Sequence, residues 1–289
     1  MNEVNFIGLG VHKAGTTFIY EMLLQHPEVS FPIQKEIRYF NRYLVEDPAF
    51  SQLNPKFDNN FEWYLSCFGK KSTNHKFGEI SPMYFCDPCA PQKIFDTAPN
   101  AKLFVVVRNP IDRTFSHFLM NTVKFKKSEY KIQDMLNPAY KYIKYSLYGE
   151  SLERYLMLFP RNQLMVIEHQ ELINNPIEVL KALCRHIGID DSSNFKGSEK
   201  KINEFSESII PKLDIFFYSV KDLLHKMGFK RVISMVQKTG LPKIIHDFNS
   251  KDSDKPRLTM EVRQKIYAIL EGDIEKFETL IEKSYSHWH

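Results

Sequence analysis

The sequence predicts an α/β fold: a P-loop-type open parallel sheet flanked by helices, with additional C-terminal helices. Three observations carry the prediction. A buried strand, "VNFIGLGV", runs straight into a glycine loop and an amphipathic helix, "GTTFIYEMLLQHP". A continuous apolar run, "KLFVVV" (102–107), reads as a parallel strand covered on both faces, and a helix with Pro110 in its first turn follows it. A third strand-then-helix unit, "QLMVIEH" followed by "NPIEVLKALCRHIGI", repeats the alternation that builds parallel sheets.

The elements follow in order. The first strand spans about 4–11, and its helix carries Phe18, Ile19, Met22 and Leu23 before a stop at Pro27. "KFGEIS" (76–81) is a short strand ended by Pro82. The helix after 107 carries Phe115, Phe118 and Leu119 on an apolar stripe. Residues 209–236 repeat apolar side chains at helical spacing with lysines opposite, as in a packed helix, a lid, a dimer face or a membrane-surface contact. Residues 258–288 read as helix again. The 289 residues are expected to form a single domain, with the P-loop core in about 1–190 and helical additions in about 191–289.

Composition narrows the function. Hydrophobic residues make up 43%, enough for a sizeable core, and the net charge of +4 is too small to argue for nucleic acid. The chain shows neither a leader pattern nor an apolar run long enough to span a bilayer, so a soluble, cytoplasmic protein is expected. Four cysteines are few for a disulfide framework, and Cys86-Asp87-Pro88-Cys89 reads as two ordinary thiols near a turn.

The loop carries the chemistry. Gly10-x-x-x-x-Gly15-Thr16-Thr17 has the P-loop frame, but Thr16 stands where lysine is usual and Lys13 lies inside the loop. Backbone amides from Ala14 through Gly15 and Thr16 to Thr17 at a helix start form an anion nest. The strand 102–107 ends in Arg108, a poor magnesium ligand and a good phosphate ligand, with Ser116 about two turns along the next helix. The site reads as built for anions held by cationic and backbone groups, with no metal required. That suits a sulfuryl group, which carries less charge than a terminal phosphoryl group.

The segments "GVHKAGTTFIYEMLLQHPEV", "KEIRYF" and "VVVRNPIDRTFSHF" resemble the two nucleotide motifs of the sulfotransferase family, and most of all its heparan sulfate and glycan branch with bacterial relatives. The resemblance covers the first ~120 residues well; the final "SHWH" also resembles bacterial members. It implies 3′-phosphoadenosine 5′-phosphosulfate (PAPS) as co-substrate and the 3′,5′-bisphosphate (PAP) as product. It further implies Lys13 on the 5′-phosphosulfate and Arg108 with Ser116 on the 3′-phosphate. Lys255 and Arg257 fall in the C-terminal loop that folds over the nucleotide in that family. Glu36 matches the family's general base, with Arg38 in a histidine position where it would favour the ionised carboxylate. His12 and His75 are alternative bases. Ser81 and Tyr84 align with an acceptor-side segment in which Ile80 replaces a family lysine. The implied partner is an acceptor alcohol, carbohydrate or lipid-linked, with no nucleic acid. Two other readings stay open: a kinase using Mg-ATP, and a non-catalytic nucleotide or polyanion binder.

Overall fold

The computed structural model describes residues 3–47, 50–69, 75–124, 131–198, 206–208, 250–252 and 258–289. The chain divides into two compact units: Met1–His117 with Ile132–Asn203 and Thr259–His289, and Phe118–Lys131 with Glu204–Leu258.

The first unit is built on a five-stranded parallel sheet. Its strands are β1 (Phe6–Gly10), β2 (Val29–Ser30), β5 (Lys76–Ile80), β6 (Lys102–Val107) and β7 (Leu164–Glu168), in the order β2-β5-β1-β6-β7. β1 is central and buried along its whole length, which is why its sequence is apolar without alternation. A separate antiparallel pair, β3 (Tyr43–Asp47) and β4 (Phe50–Leu53), follows the "KEIRYF" segment. The helices are α1 (Thr16–Leu23), α2 (Phe61–Ser66), α3 (Ala90–Thr97), α4 (Pro110–Leu119), α5 (Ile132–Leu136), α6 (Lys141–Lys144), α7 (Tyr148–Leu156), α8 (His169–Asn174), α9 (Pro176–Ile187) and α10 (Met260–Ile281).

The long strands match the sequence reading to within two residues at either end. β2 and the β3–β4 pair are additions, as are α2, α3, α5, α7 and α8, the last of which begins directly after β7. The expected terminal helix stops at Ile281, because Glu282 is left-handed at φ 56°, and Ser286–Trp288 forms a separate 3₁₀ turn. Trp288 is fully buried and stacks on Tyr285 at 4.2 Å, so the tail is packed onto the first unit. In the second unit, the described residues form a π-helix, Met120–Lys124, and an antiparallel pair, β8 (Ser206–Ser208) with β9 (Ser250–Asp252). The amphipathic segment 209–236 lies outside the described residues.

Every parallel strand points the same way, so the loops after β1, β5, β6 and β7 gather at one carboxyl edge. Open α/β sheets bind ligands at that edge.

Candidate active site

The P-loop leaves β1 through a break in the ladder. The β1–β6 register shifts between Gly8 and Gly10, and Val11 N–H then bonds to Val106 O at 2.8 Å. Gly10 sits at φ 138°, and a Cβ there would come within 2.4 Å of the Pro82 carbonyl. Gly15 is the N-cap of α1 at φ 97°, so both glycines of the frame occupy positions an L side chain would strain. Lys13 is also left-handed, at φ 74°. α1 has neither a side-chain cap nor an acidic residue in its first turn. Its amino end therefore keeps its positive character for an anion. Thr16 is buried and Thr17 exposed.

The "KEIRYF" segment lies against this loop. Lys35 Nζ donates to Thr17 Oγ1 at 3.0 Å. Glu36 and Arg38 are both left-handed, at φ 59° and 60°, and their side chains form an ion pair at 3.1 Å. Non-glycine residues in this region store strain that the surroundings must over-determine. A buried carboxylate does so here. Glu79, fully buried near the end of β5, accepts from Ile37 N–H at 3.2 Å, from Ser81 Oγ at 2.9 Å and from Tyr84 OH at 2.6 Å. Arg38 N–H donates to Ser81 Oγ at 3.1 Å. Burial pushes the Glu79 carboxyl above its usual range, against the hydrogen bonds from Tyr84, Ser81 and Ile37 that favour its charge.

Ser81 and Tyr84 were expected to touch the acceptor. Both are completely buried with their hydroxyls committed to Glu79, so they hold the 36–38 segment from below. Ile80 is likewise in the core, where it packs over Gly8, whose missing Cβ would meet Ile80 Cγ1 at 2.8 Å. An apolar side chain is what that position holds.

The alternative bases are displaced on physical grounds. His75 precedes β5 and so stands at the amino edge of the sheet, roughly 16 Å of strand away from the P-loop edge. His12 is pulled down to about 3, by burial first and then by the charges of Lys13, Arg113, Arg38 and Lys141. A group so depressed is a poor proton acceptor at neutral pH. Its ring instead lies 4.8 Å from that of His117 on α4, and its Nδ1 is buried without a partner among the described residues.

α4 carries the second motif. Arg108 follows β6 directly, and burial lowers its pKa while nearby Asp112 opposes. Asn109 caps the helix: its Oδ1 accepts from Ile111 and Asp112 N–H at 3.0 and 3.3 Å, and its Nδ2 donates to His287 O at 3.1 Å. Ser116 is buried one residue before His117. Arg113 is fully buried, donates to Ser146 Oγ at 2.6 Å, to the Tyr142 carbonyl and to His117 Nδ1 at 3.3 Å, and thereby ties α4 to the 142–146 turn. Tyr142, Tyr145 and Tyr148 around that turn belong to the core. Lys255 and Arg257 lie outside the described residues.

Sequence reasoning missed Glu79, Asn109 and Arg113. Each had a signal: a charge inside an apolar strand, an asparagine just before a helix-starting proline, and an arginine on the buried face of an amphipathic helix. Cys86 is buried, donates to Tyr145 O at 3.4 Å, and has its thiol pushed up to about 12 by burial, as an inert structural thiol does.

The model of the sulfotransferase domain matches residues 5–228. The chain belongs to the sulfotransferase domain family. Among similar sequences, the membrane-associated sulfotransferase kil1 of Dictyostelium discoideum is 32% identical over 55% of this chain and 32% of its own. Heparan sulfate glucosamine 3-O-sulfotransferase 5 of Homo sapiens is 26% identical over 73% of this chain and 68% of its own. The bifunctional heparan sulfate N-deacetylase/N-sulfotransferase 2 of Bos taurus is 28% identical over 66% of this chain and 22% of its own. The chain thus spans between about a fifth and two thirds of these relatives. The crystal structure of a sulfotransferase from Alicyclobacillus acidocaldarius shares the fold, with a TM-score of 0.66, 20% identity and 98% of both chains covered. No helix among the described residues is long and apolar enough to cross a membrane.

The residues fit an anionic nucleotide. Lys13 stands in the loop, and the start of α1, with neither a side-chain cap nor an acidic residue in its first turn, adds backbone amides to the same edge.

Proposed function

We propose that this chain transfers the sulfuryl group of PAPS to a carbohydrate hydroxyl, with Glu36 as general base. The observation that carries this reading is the Lys35–Thr17 hydrogen bond, which fastens the segment bearing Glu36 to the phosphate loop. The acceptor class rests on the relatives, two of which are heparan sulfate sulfotransferases by name. A lipid-linked carbohydrate is compatible with a relative described as membrane-associated. None of the four cysteines is paired in a disulfide among the described residues, which suits a reducing, cytoplasmic setting.

PAPS supplies an activated sulfur on a good leaving group. The protein does the rest. Glu36 accepts from Arg38 at Oε2, which leaves Oε1 for the acceptor proton. As that proton moves to Glu36, the acceptor oxygen bonds to sulfur and the bond from sulfur to the bridging oxygen breaks. The departing electron pair settles on the 5′-phosphate, where Lys13 and the amides from Ala14 and Gly15 through Thr16 and Thr17 meet it. Arg108 and Ser116 hold the 3′-phosphate, and Lys255 and Arg257 are assigned to the same nucleotide.

Glu36→Gln tests the base. Transfer from labelled PAPS to heparan-type oligosaccharides should fall by about 100-fold or more while PAP affinity stays within a factor of about three. Equal transfer by the variant and the wild type would remove Glu36 from the reaction.

A further inference from the structure

Lys35 sits where a cation is hard to place. Its ammonium bonds to Thr17 Oγ1 at 3.0 Å, in the first turn of α1, at the positive end of a helix that has no acidic residue there. A lysine belongs at the other end of a helix. Lys13 adds a second cation to the same loop, and burial depresses the Lys35 pKa, although Glu36 and Glu21 oppose the depression. The Glu36 carboxylate is engaged by Arg38. Lys35 Nζ also lies over the face of Tyr20, 5.0 Å from the ring centroid, which guides the stem toward the loop. A cation held at a helix start against the helix dipole, with a neutral hydroxyl as its hydrogen-bond partner, is arranged for an anion that arrives later.

We propose that Lys35 is a catalytic residue whose ammonium donates to a non-bridging oxygen of the transferring sulfuryl group. This rests on the donor reading above and deepens it. Lys13 and the loop amides then serve the leaving oxygen, while Lys35 holds the sulfuryl group between the loop and Glu36. Lys35 keeps its proton throughout. The acceptor oxygen–sulfur bond forms, the sulfur–bridging oxygen bond breaks with its electron pair passing to PAP, and the acceptor proton goes to Glu36. The position also explains how the site manages with Ile80 in the core: the cation comes from the segment before Glu36 and not from β5.

PAP and PAPS differ by the sulfuryl group alone, so calorimetric titration of the full chain with each, without acceptor, isolates this contact. In Lys35→Ala, PAPS affinity should fall about 10-fold or more while PAP affinity changes less than about two-fold. Lys35→Gln keeps a donor for Thr17 but no charge and should behave like the alanine variant, whereas Lys35→Arg should recover most of the loss. The proposal is overturned if PAP and PAPS weaken together, if neither weakens, or if Lys35→Gln restores PAPS binding, since each makes Lys35 a brace for Thr17. Intact PAP binding also certifies that the variants are folded. Failure of the wild type to bind either nucleotide would instead refute the donor reading itself.

Discussion

At the residue scale, the site is governed by where charge is allowed to sit. Glu79 is a carboxylate without a route to solvent, and its role is to fix the backbone of Ile37 and Arg38 through Ser81 and its own oxygens. His117 shows the opposite device. Burial, then His12, Arg113, Lys141 and Lys13, hold it well below its ordinary value of 6.5, so the folded protein keeps it neutral. The unfolded chain takes up a proton at this histidine near pH 6.5. The unfolded state therefore binds more protons below that pH. Stability is fully present above it and is lost as pH falls, by about 1.4 kcal/mol per pH unit for each such histidine. His12, pulled down to about 3, adds a second. Urea unfolding between pH 7 and 5 should show this loss, and His117→Gln should reduce its slope by about one proton. An unchanged slope would mean that His117 titrates normally in the fold.

At the element scale, the α/β core was largely legible. β1, β6, β7 and the helices after them announce themselves because a doubly covered strand is an uninterrupted apolar run and a proline marks the following helix start. The P-loop was legible for a similar reason: its two glycines sit at a close approach and a left-handed cap that few other residues tolerate. The acceptor side was not. Ser81 and Tyr84 look like polar residues at a strand end, and no local pattern reveals that a carboxylate two to five residues away turns both inward. Two-residue β2 is too short to carry a period, and α8 hides because no turn separates it from β7. Lys35 was visible as a lysine beside Glu36, but its place at the start of α1 depends on a contact between residues eighteen apart.

At the scale of the whole molecule, the C-terminal tail reaches the carboxyl edge of the sheet. α10 packs along α7, where Asp273 accepts from Gly149 and Glu150 N–H, both at 2.8 Å. Beyond it, Trp288 is buried, His287 pairs with Glu168 at the end of β7 at 2.6 Å, and the His287 carbonyl takes the Asn109 amide. The tail thus bears on the cap of the helix that presents Ser116. Trp288→Ala should cost about 3–5 kcal/mol and lower Tm by about 10 °C, with weaker PAP binding in the surviving folded fraction. Unchanged thermal unfolding would detach the tail from the core's energetics. The central claim, a donor site built from the P-loop and Arg108, is tested most directly by calorimetric titration of the chain with PAP in EDTA, beside Mg-ATP. The account predicts metal-independent binding at micromolar or tighter Kd, weakened about 10-fold or more in Arg108→Ala. Absence of PAP binding alongside binding of Mg-ATP would contradict it.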